Sequence, residues 1–317
     1  MKVVVTGGGG FLGLRLARAL LARKDISRLV LADTAFPASL PQDARLEAVT
    51  GDIADPAFVG RVIAPDTGSV FHLAAVVSGA AEADFDLGMR VNLDGTRILL
   101  ERLRRCAAPP RLVFASSVAA FGGDLPAVVD DTTTPNPQTS YGTQKVIGEC
   151  LVSDYSRRGF VDGRSLRLPT IVVRSGKPNA AASSFASGIL REPLNGLPSE
   201  CPVERDTAVW LLSPRRCVEA FVHAHDLPAS AWGVNRTVNL PGITVSVGEM
   251  LAALGRVAGE QVAARVTFQP DERIRAIVRT WPGRFATPRA LAMGFKADPD
   301  IDTVIRDYVA DENLKIG

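Results

Sequence analysis

Cysteine and histidine are scarce in this chain of 317 residues, with four of the first and three of the second. Cys106, Cys150, Cys201 and Cys217 form neither a CxxC pair nor a secreted disulfide framework, so they read as core or bystander thiols in a reducing compartment. Of the histidines, His223 and His225 sit two apart with no matching cysteine or carboxylate pattern beside them, which leaves a structural or catalytic metal without support. Charge of one sign is lacking too. Lys plus Arg number 36 against 34 Asp plus Glu, and no segment gathers the basic charge, so nothing points to nucleic acid or an anionic membrane surface. No uncharged apolar run reaches the ~18 residues of a membrane span, and Lys2 enters a strand pattern with no basic and apolar leader before it; the expected address is the cytoplasm. What remains is 46% hydrophobic and 22% charged, the balance of a globular protein long enough for one large α/β domain with an appendage or for two domains. The expected partner is a small molecule.

The pattern along the chain gives the architecture. Val3-Val4-Val5 is a short β-branched run, a glycine cluster follows, an amphipathic helix is expected over 12–23, and a second apolar strand covers 28–33. That is a βαβ unit. Further strands are expected at 46–49, 69–73, 111–115 and 163–168, with helices at 56–63, 91–105 and 141–158. Strands alternating with helices imply a Rossmann-type, doubly wound parallel sheet covered on both faces. After Leu168 the rhythm changes: residues 169–196 are rich in Pro, Asn, Ser and Ala, and later segments alternate short helices and strands. The expected division is a nucleotide-binding domain over 1–168, with 203–240 returning to it, and a smaller C-terminal α/β substrate-binding lobe from 169–202 and 241–317. Within that lobe the pattern predicts a helix over 247–258 and a strand over 262–268.

Thr6-Gly7-Gly8-Gly9-Gly10-Phe11-Leu12-Gly13 stands between the first strand and the first helix, where backbone N–H groups and the helix dipole converge on an anion such as a pyrophosphate. Glycines at 7, 10 and 13 keep side chains out of the turn, off the ligand and out of the helix–sheet contact. Asp33 ends the second strand twenty residues after Gly13, where a carboxylate accepts bonds from the adenosine ribose hydroxyls and repels a 2′-phosphate. No Lys or Arg lies between Thr34 and Leu40 to offset that repulsion, so the expected cofactor is NAD and not NADP. Arg15 reads as part of a solvated helix face.

Four further motifs follow in order: Gly51-Asp52-Ile53, Phe71-His72-Leu73-Ala74-Ala75, Phe114-Ala115-Ser116-Ser117 and Tyr141-Gly142-Thr143-Gln144-Lys145, with Asn92 between the second and third. Tyr141 and Lys145 are four apart on an expected helix, so their side chains leave one face. A free phenol with a pKa near ~10 is a poor base, and an adjacent ammonium together with an oxidised nicotinamide stabilises the phenolate. In this set of motifs the chain resembles the extended short-chain dehydrogenase/reductase family, which also contains nucleotide-sugar epimerases and dehydratases. The resemblance implies Tyr141 as general base, Lys145 as its partner and holder of the nicotinamide ribose, Ser117 as donor to the substrate oxygen with Ser116 as fallback, and Asn92 as support for the active-site helix and its water relay. It implies cofactor contacts from Gly7, Gly10, Phe11, Leu12, Asp33, Asp52, Ile53, Leu73, Ala74, Ala75, Asn92, Tyr141, Lys145 and Pro169. His72 is expected to order backbone and do no chemistry, and Phe121 stands where epimerase members often carry Tyr.

Nucleotide-sugar members usually carry an RDFxxVxD-like segment for the nucleotide half; here the region reads Pro202-Val-Glu-Arg-Asp-Thr-Ala-Val-Trp-Leu-Leu-Ser-Pro-Arg-Arg216, which argues for a small substrate. The stretch 167–196, with Ser213 to Arg216, resembles members that oxidise the C2 hydroxyl of a four-carbon sugar acid to a 2-keto acid. Cations suit a carboxylate and short polar groups suit hydroxyls, and the stretch supplies Arg174, Lys177, Asn179, Ser183, Ser184 and Arg191. Expected substrate contacts are Ser78, Ser117, Tyr141, Thr170, Arg174, Asn179, Ser184 and Arg191. The resemblance further implies a homodimer formed through the helices at 91–105 and 141–158. The rival expectations are a nucleotide-sugar epimerase or dehydratase, an enzyme acting on L-threonine, and a non-catalytic NAD sensor.

Overall fold

The computed structural model describes residues 1–176 and 183–315. The run Lys-Val-Val-Val-Thr forms β1 (Lys2–Thr6), buried along its whole length, as a β-branched strand covered on both faces should be. The other strands are β2 (Arg28–Asp33), β3 (Leu46–Thr50), β4 (Thr67–His72), β5 (Arg111–Ser117), β6 (Asp162–Leu168), β7 (Thr170–Ile171), β8 (Ser199–Cys201), β9 (Ala208–Leu212), β10 (Thr237–Asn239), β11 (Ile243–Ser246) and β12 (Val266–Phe268). The helices are α1 (Phe11–Leu21), α2 (Pro56–Val62), α3 (Ser78–Ala83), α4 (Phe85–Gly88), α5 (Gly95–Leu103), α6 (Ser140–Arg157), α7 (Ser184–Leu194), α8 (Pro214–Asp226), α9 (Ala229–Trp232), α10 (Val247–Ala258), α11 (Glu260–Ala263), α12 (Glu272–Val278), α13 (Pro288–Ala292) and α14 (Ile301–Asp311).

The chain forms two units, each assembled from three stretches. The first takes Met1–Ala120, Thr139–Arg167 and Val218–Val238; the second takes Phe121–Gln138, Leu168–Cys217 and Asn239–Gly317. The first unit is built on a seven-stranded sheet in the order β10-β6-β5-β4-β1-β2-β3, whose run from β5 through β4, β1 and β2 to β3 is parallel. The chain moves outward from β1 to β3, then returns to the other side of β1 with β4. That reversal is the switch point outside which α/β sheets bind ligands. Gly13, Leu16, Ala17 and Leu20 form the buried stripe of α1, and Val4, Val30, Phe58, Val70, Leu99 and Leu112 belong to the core of this unit. The second unit holds a three-stranded sheet, β11-β9-β7, and a two-stranded one, β12-β8. Its core gathers Val172, Ile189, Leu211, Met250, Leu254 and Ile305.

Four expectations need correction. The apolar run at 203–212 was expected in the main sheet, yet its strand β9 pairs antiparallel with β11 and parallel with β7, and only β10 joins the main sheet. An apolar run states that a strand is covered on both faces, not which sheet covers it. Residues 121–138 group with the second unit, where Val129 bridges to Phe285. The strand expected at 262–268 is shortened to β12, because Gly259, at φ +96, ends α10 and starts the helical turn α11. The helix expected over 91–105 is preceded by α3 and α4 and opens as a π-helical turn, Met89–Asp94, that carries Asn92.

Candidate active site

The turn from β1 to α1 is held by its own backbone. Gly7 N–H donates to the Ala32 carbonyl at 2.9 Å and Gly10 N–H to the Gly7 carbonyl at 3.2 Å. Gly7 has φ +71, and a Cβ there would lie 2.7 Å from the Ala74 nitrogen; a Cβ on Gly13 would lie 2.2 Å from the Gly7 carbonyl oxygen. Those two glycines are demanded by packing. Gly10 is different: its backbone is extended, and a Cβ would meet only the Gly7 oxygen at 3.3 Å. It is the residue immediately before α1, whose N-terminus receives no side-chain cap, so a methyl there would fill the space a phosphate needs at those N–H groups. Gly10→Ala is therefore expected to leave thermal unfolding nearly unchanged while weakening NAD binding about tenfold or more, the worth of ~1.4 kcal/mol. Gly13→Ala is expected to destabilise the fold by roughly 1–3 kcal/mol. Calorimetric unfolding and a fluorescence titration with NAD separate the two.

Asp33 is oriented at the end of β2. Its Oδ2 accepts from Gly9 N–H at 2.9 Å and its Oδ1 from Thr34 N–H at 2.7 Å, which leaves further lone pairs for ribose hydroxyls. Replacing it by Ala is expected to lower kcat/KM with NAD about 10–100-fold, since hydrogen bonds to a charged group are worth ~1.5–3 kcal/mol, and to lower it less with NADP; initial rates with both cofactors test this. Arg15 lies with its guanidinium 5.1 Å from the Phe11 ring centroid. Phe11 and Leu12 are half-buried at the start of α1. Asp52 accepts from the Arg90 guanidinium and from Ala54 N–H; burial opposes its charge, but these donors win and hold the carboxyl below its ordinary range. The Ile53 side chain is buried in the core against Gly95.

On the other side of the switch point, half-buried Leu73, Ala74 and Ala75 follow β4, with Leu73 N–H donating to the Thr6 carbonyl at 3.0 Å. His72 is enclosed by two hydroxyls. Thr96 gives its proton to the Asn92 carbonyl at 2.6 Å, so it accepts from His72 Nε2 at 2.9 Å, and His72 Nδ1 in turn accepts from Thr6 at 2.6 Å. Burial first, and the Lys145 charge second, push this imidazole down to about 3. It is neutral and ties β1 to β4 and α5. Asn92 is buried; its Oδ1 accepts from Val76 N–H at 2.8 Å, and its Nδ2 donates to the Val76 carbonyl at 3.0 Å and to Gln144 Oε1 at 2.7 Å. It thereby joins the π-helical turn, the segment after β4 and α6. Ser78 is half-buried at the first position of α3.

α6 brings Tyr141 and Lys145 together. Thr139 caps it by accepting from Gly142 N–H at 3.0 Å, and Glu82 of α3 accepts from Ser140 N–H at 3.0 Å, so Tyr141 is fixed in the first turn. A Cβ on Gly148 would lie 2.7 Å from the Phe114 ring, so this glycine lets α6 approach β5. Lys145 is 3% exposed; its Nζ donates to the Ala115 carbonyl at 2.8 Å and lies 5.5 Å from the Tyr141 ring centroid and 4.9 Å from that of Phe114. Burial pushes its ammonium down to about 8, against the pull of the Glu149 carboxylate.

The paired serines are told apart by the strand. Ser116 is buried and donates to Glu149, while half-buried Ser117 accepts from Ala119 N–H at 3.1 Å and keeps its hydroxyl hydrogen for another acceptor. Glu149 also takes Arg167 in two bonds, Nε to Oε1 at 2.9 Å and Nη2 to Oε2 at 2.6 Å. Sequence reasoning assigned neither residue of that pair a role here. The signal was present for Glu149, which follows Lys145 by one helical turn.

In the second unit, Pro169 is buried and half-buried Thr170 opens β7. The Arg174 N–H donates to Ser187 Oγ and its Nη2 to Ser183 Oγ, both at 3.1 Å. Arg191 is buried with its guanidinium committed: Nε and Nη2 to Glu192 at 2.7 and 2.6 Å, and Nη1 to the Arg174 carbonyl at 2.9 Å. It supports the Arg174 segment. Ser184 starts α7 half-buried. Asn179, and Lys177 near it, lie outside the described residues. Phe121 is buried edge-on against Phe285, with centroids 5.7 Å apart.

Residues 3–239 match the model of the NAD dependent epimerase/dehydratase family. This chain belongs to that family. Its cofactor is NAD, and the Gly10 cradle and the Asp33 carboxylate fit it. Among relatives, the chain is 58% identical over 323 residues to a D-erythronate dehydrogenase of Cupriavidus necator, covering 99% of each. It is 46% identical over 311 residues to a D-erythronate dehydrogenase of Haemophilus influenzae, covering 98% of this chain and 99% of the other. Among solved structures, one described as a nucleoside-diphosphate-sugar epimerase from Agrobacterium tumefaciens superposes with a TM-score of 0.95 at 39% identity, covering 100% of this chain and 96% of that one.

Proposed function

We propose that this protein is an NAD-dependent dehydrogenase that oxidises the C2 hydroxyl of D-erythronate to 2-dehydro-D-erythronate. The observation that carries the reading is the intact Tyr141–Lys145 pair, with the ammonium under the phenol ring, in a chain whose relatives of that name match it from end to end. Tyr141 takes the proton of the substrate hydroxyl. Lys145 stabilises the phenolate form that accepts this proton and, with one N–H spent on Ala115, has two left for the nicotinamide ribose. Ser117 donates to the substrate oxygen as it becomes a carbonyl, which holds the C–H bond in place for transfer. Bound NAD supplies the acceptor for the hydride leaving C2. Arg174, held by Ser183 and Ser187 and supported by Arg191, is assigned to the substrate carboxylate, with Thr170, Ser184, Asn179 and Ser78 assigned to the hydroxyls.

The test is NADH formation from NAD with a panel of C4 to C6 sugar acids that includes D-erythronate and L-threonate. Oxidation of D-erythronate is the expected result, and oxidation of none of the panel overturns the substrate. The description of the Agrobacterium structure favours a second reading, a nucleotide-sugar epimerase that regenerates its cofactor internally. Purified protein that retains dinucleotide and makes no net NADH from sugar acids supports that reading instead.

The proposal includes a homodimer through α5 and α6 and a cytoplasmic address, to which four free cysteines are suited. Among the described residues no helix is long and apolar enough to cross a membrane. Sedimentation equilibrium is expected to give twice the 33.7 kDa chain mass; a monomer at every concentration overturns the dimer.

A further inference from the structure

We propose that the buried Glu149–Arg167 pair is a positioning device for the reaction, which keeps the Lys145 ammonium charged and pins the end of β5 so that Ser117, and not Ser116, presents its hydroxyl. The inference deepens the functional proposal and rests on its reading of Tyr141 and Lys145 as the pair that handles the proton.

Lys145 sits where an ammonium is costly: it is buried, and its hydrogen bond to the Ala115 carbonyl joins it to a neutral group. The groups that face it are Tyr141 and Glu149 from α6, His72 from β4, the Phe114 ring from β5 and, through Glu149, Arg167 from β6. His72 is held neutral by burial and by the Lys145 charge, so it adds no charge. Glu149 supplies the negative field that offsets burial. The two Arg167 bonds and the Ser116 hydroxyl occupy both carboxylate oxygens and hold the carboxylate in place, although Glu149 is only 4% exposed. Stability alone does not call for such a pair, because well-packed apolar residues of equal volume serve a core as well or better. Ser116 and Ser117 are neighbours on a strand and point to opposite faces. Anchoring the first on Glu149 therefore sets the direction of the second.

The experiment follows the Lys145 Nζ resonance by pH titration of protein labelled with ¹⁵N-lysine, assigned with Lys145→Met. The proteins compared are wild type, Glu149→Gln and the double variant Glu149→Gln/Arg167→Met. Glu149→Gln keeps the shape and removes the negative charge one helical turn from Lys145 while the Arg167 charge stays, so the midpoint is expected to fall by about one pH unit or more, as for other close charge effects. The double variant removes both charges and is expected to lie between Glu149→Gln and wild type. A general loosening of structure cannot produce that order, because the second substitution would add to the damage and not reverse it. Equal midpoints in all three overturn the inference. If Glu149→Gln does not fold, the double variant carries the test: a midpoint below wild type supports the inference and an equal one overturns it. The alkaline limb of kcat for NADH formation is expected to shift in the same order. Should wild type make no NADH from sugar acids, the resonance order still decides this inference, and the failure falls on the assigned substrate.

Discussion

Tyr141→Phe is expected to lower kcat for sugar-acid oxidation about 10²–10⁴-fold, the usual worth of a positioned general base, with NAD affinity unchanged. The substitution removes one oxygen from a half-buried ring on α6 and leaves the ring that lies 5.5 Å from Lys145 Nζ in place. The cap made by Thr139 and the Glu82 contact belong to the neighbouring backbone, so the helix start is preserved. Stopped-flow NADH absorbance gives the chemical step, and an NAD titration gives the affinity. A variant that binds NAD and turns over at the wild-type rate removes Tyr141 from the chemistry and assigns the proton to another base.

Lys145→Met is expected to abolish measurable turnover while making the protein more stable at pH 7. An unfolded lysine titrates near 10.5, and burial holds Lys145 down to about 8. At neutral pH the charge is present in both states, so the folded state bears a cost of roughly 3 kcal/mol. Between about 8 and 10.5 the folded protein has released a proton that the unfolded chain still holds, so stability contributed through this residue rises with pH across that window. Methionine removes the cost, but it strands the Ala115 carbonyl, which gives back roughly 1–3 kcal/mol. The net expectation is a Tm higher by about 2–4 °C at pH 7, a gain that shrinks toward pH 10. Differential scanning calorimetry at both pH values checks the sign, and a lower Tm at pH 7 contradicts it.

The local parts of this structure were legible and the long-range parts were not. β1, the glycine turn and α1 follow from five buried residues, a glycine spacing and a stripe at helical period. α10 spans the very residues expected of it, because Ser246 and Glu249 close a capping box at one end and Gly259 stops it at the other. The Tyr141–Lys145 pair is likewise local, two residues one turn apart. The π-helical turn at Asn92 was not legible, since its reason lies in Val76 and in Gln144, 52 positions away. The destination of β9 depended on partners at 170–171 and 243–246, which an apolar run cannot name. Ser117 ranks above Ser116 by resemblance alone, because the physical reason, the claim of Glu149 on Ser116, lies 33 positions along the chain.

Each of the two units is stitched from three separated stretches of chain. A gene fragment ending at residue 168 would lack β10 and leave the β6 edge of the main sheet open to another chain, a recipe for insoluble product. A domain swap with a relative would have to exchange 121–138, 168–217 and 239–317 together. Recombination within this fold is therefore constrained to exchange of all three stretches of a unit at once, and directed evolution of its specificity is better pursued by point substitution than by shuffling halves.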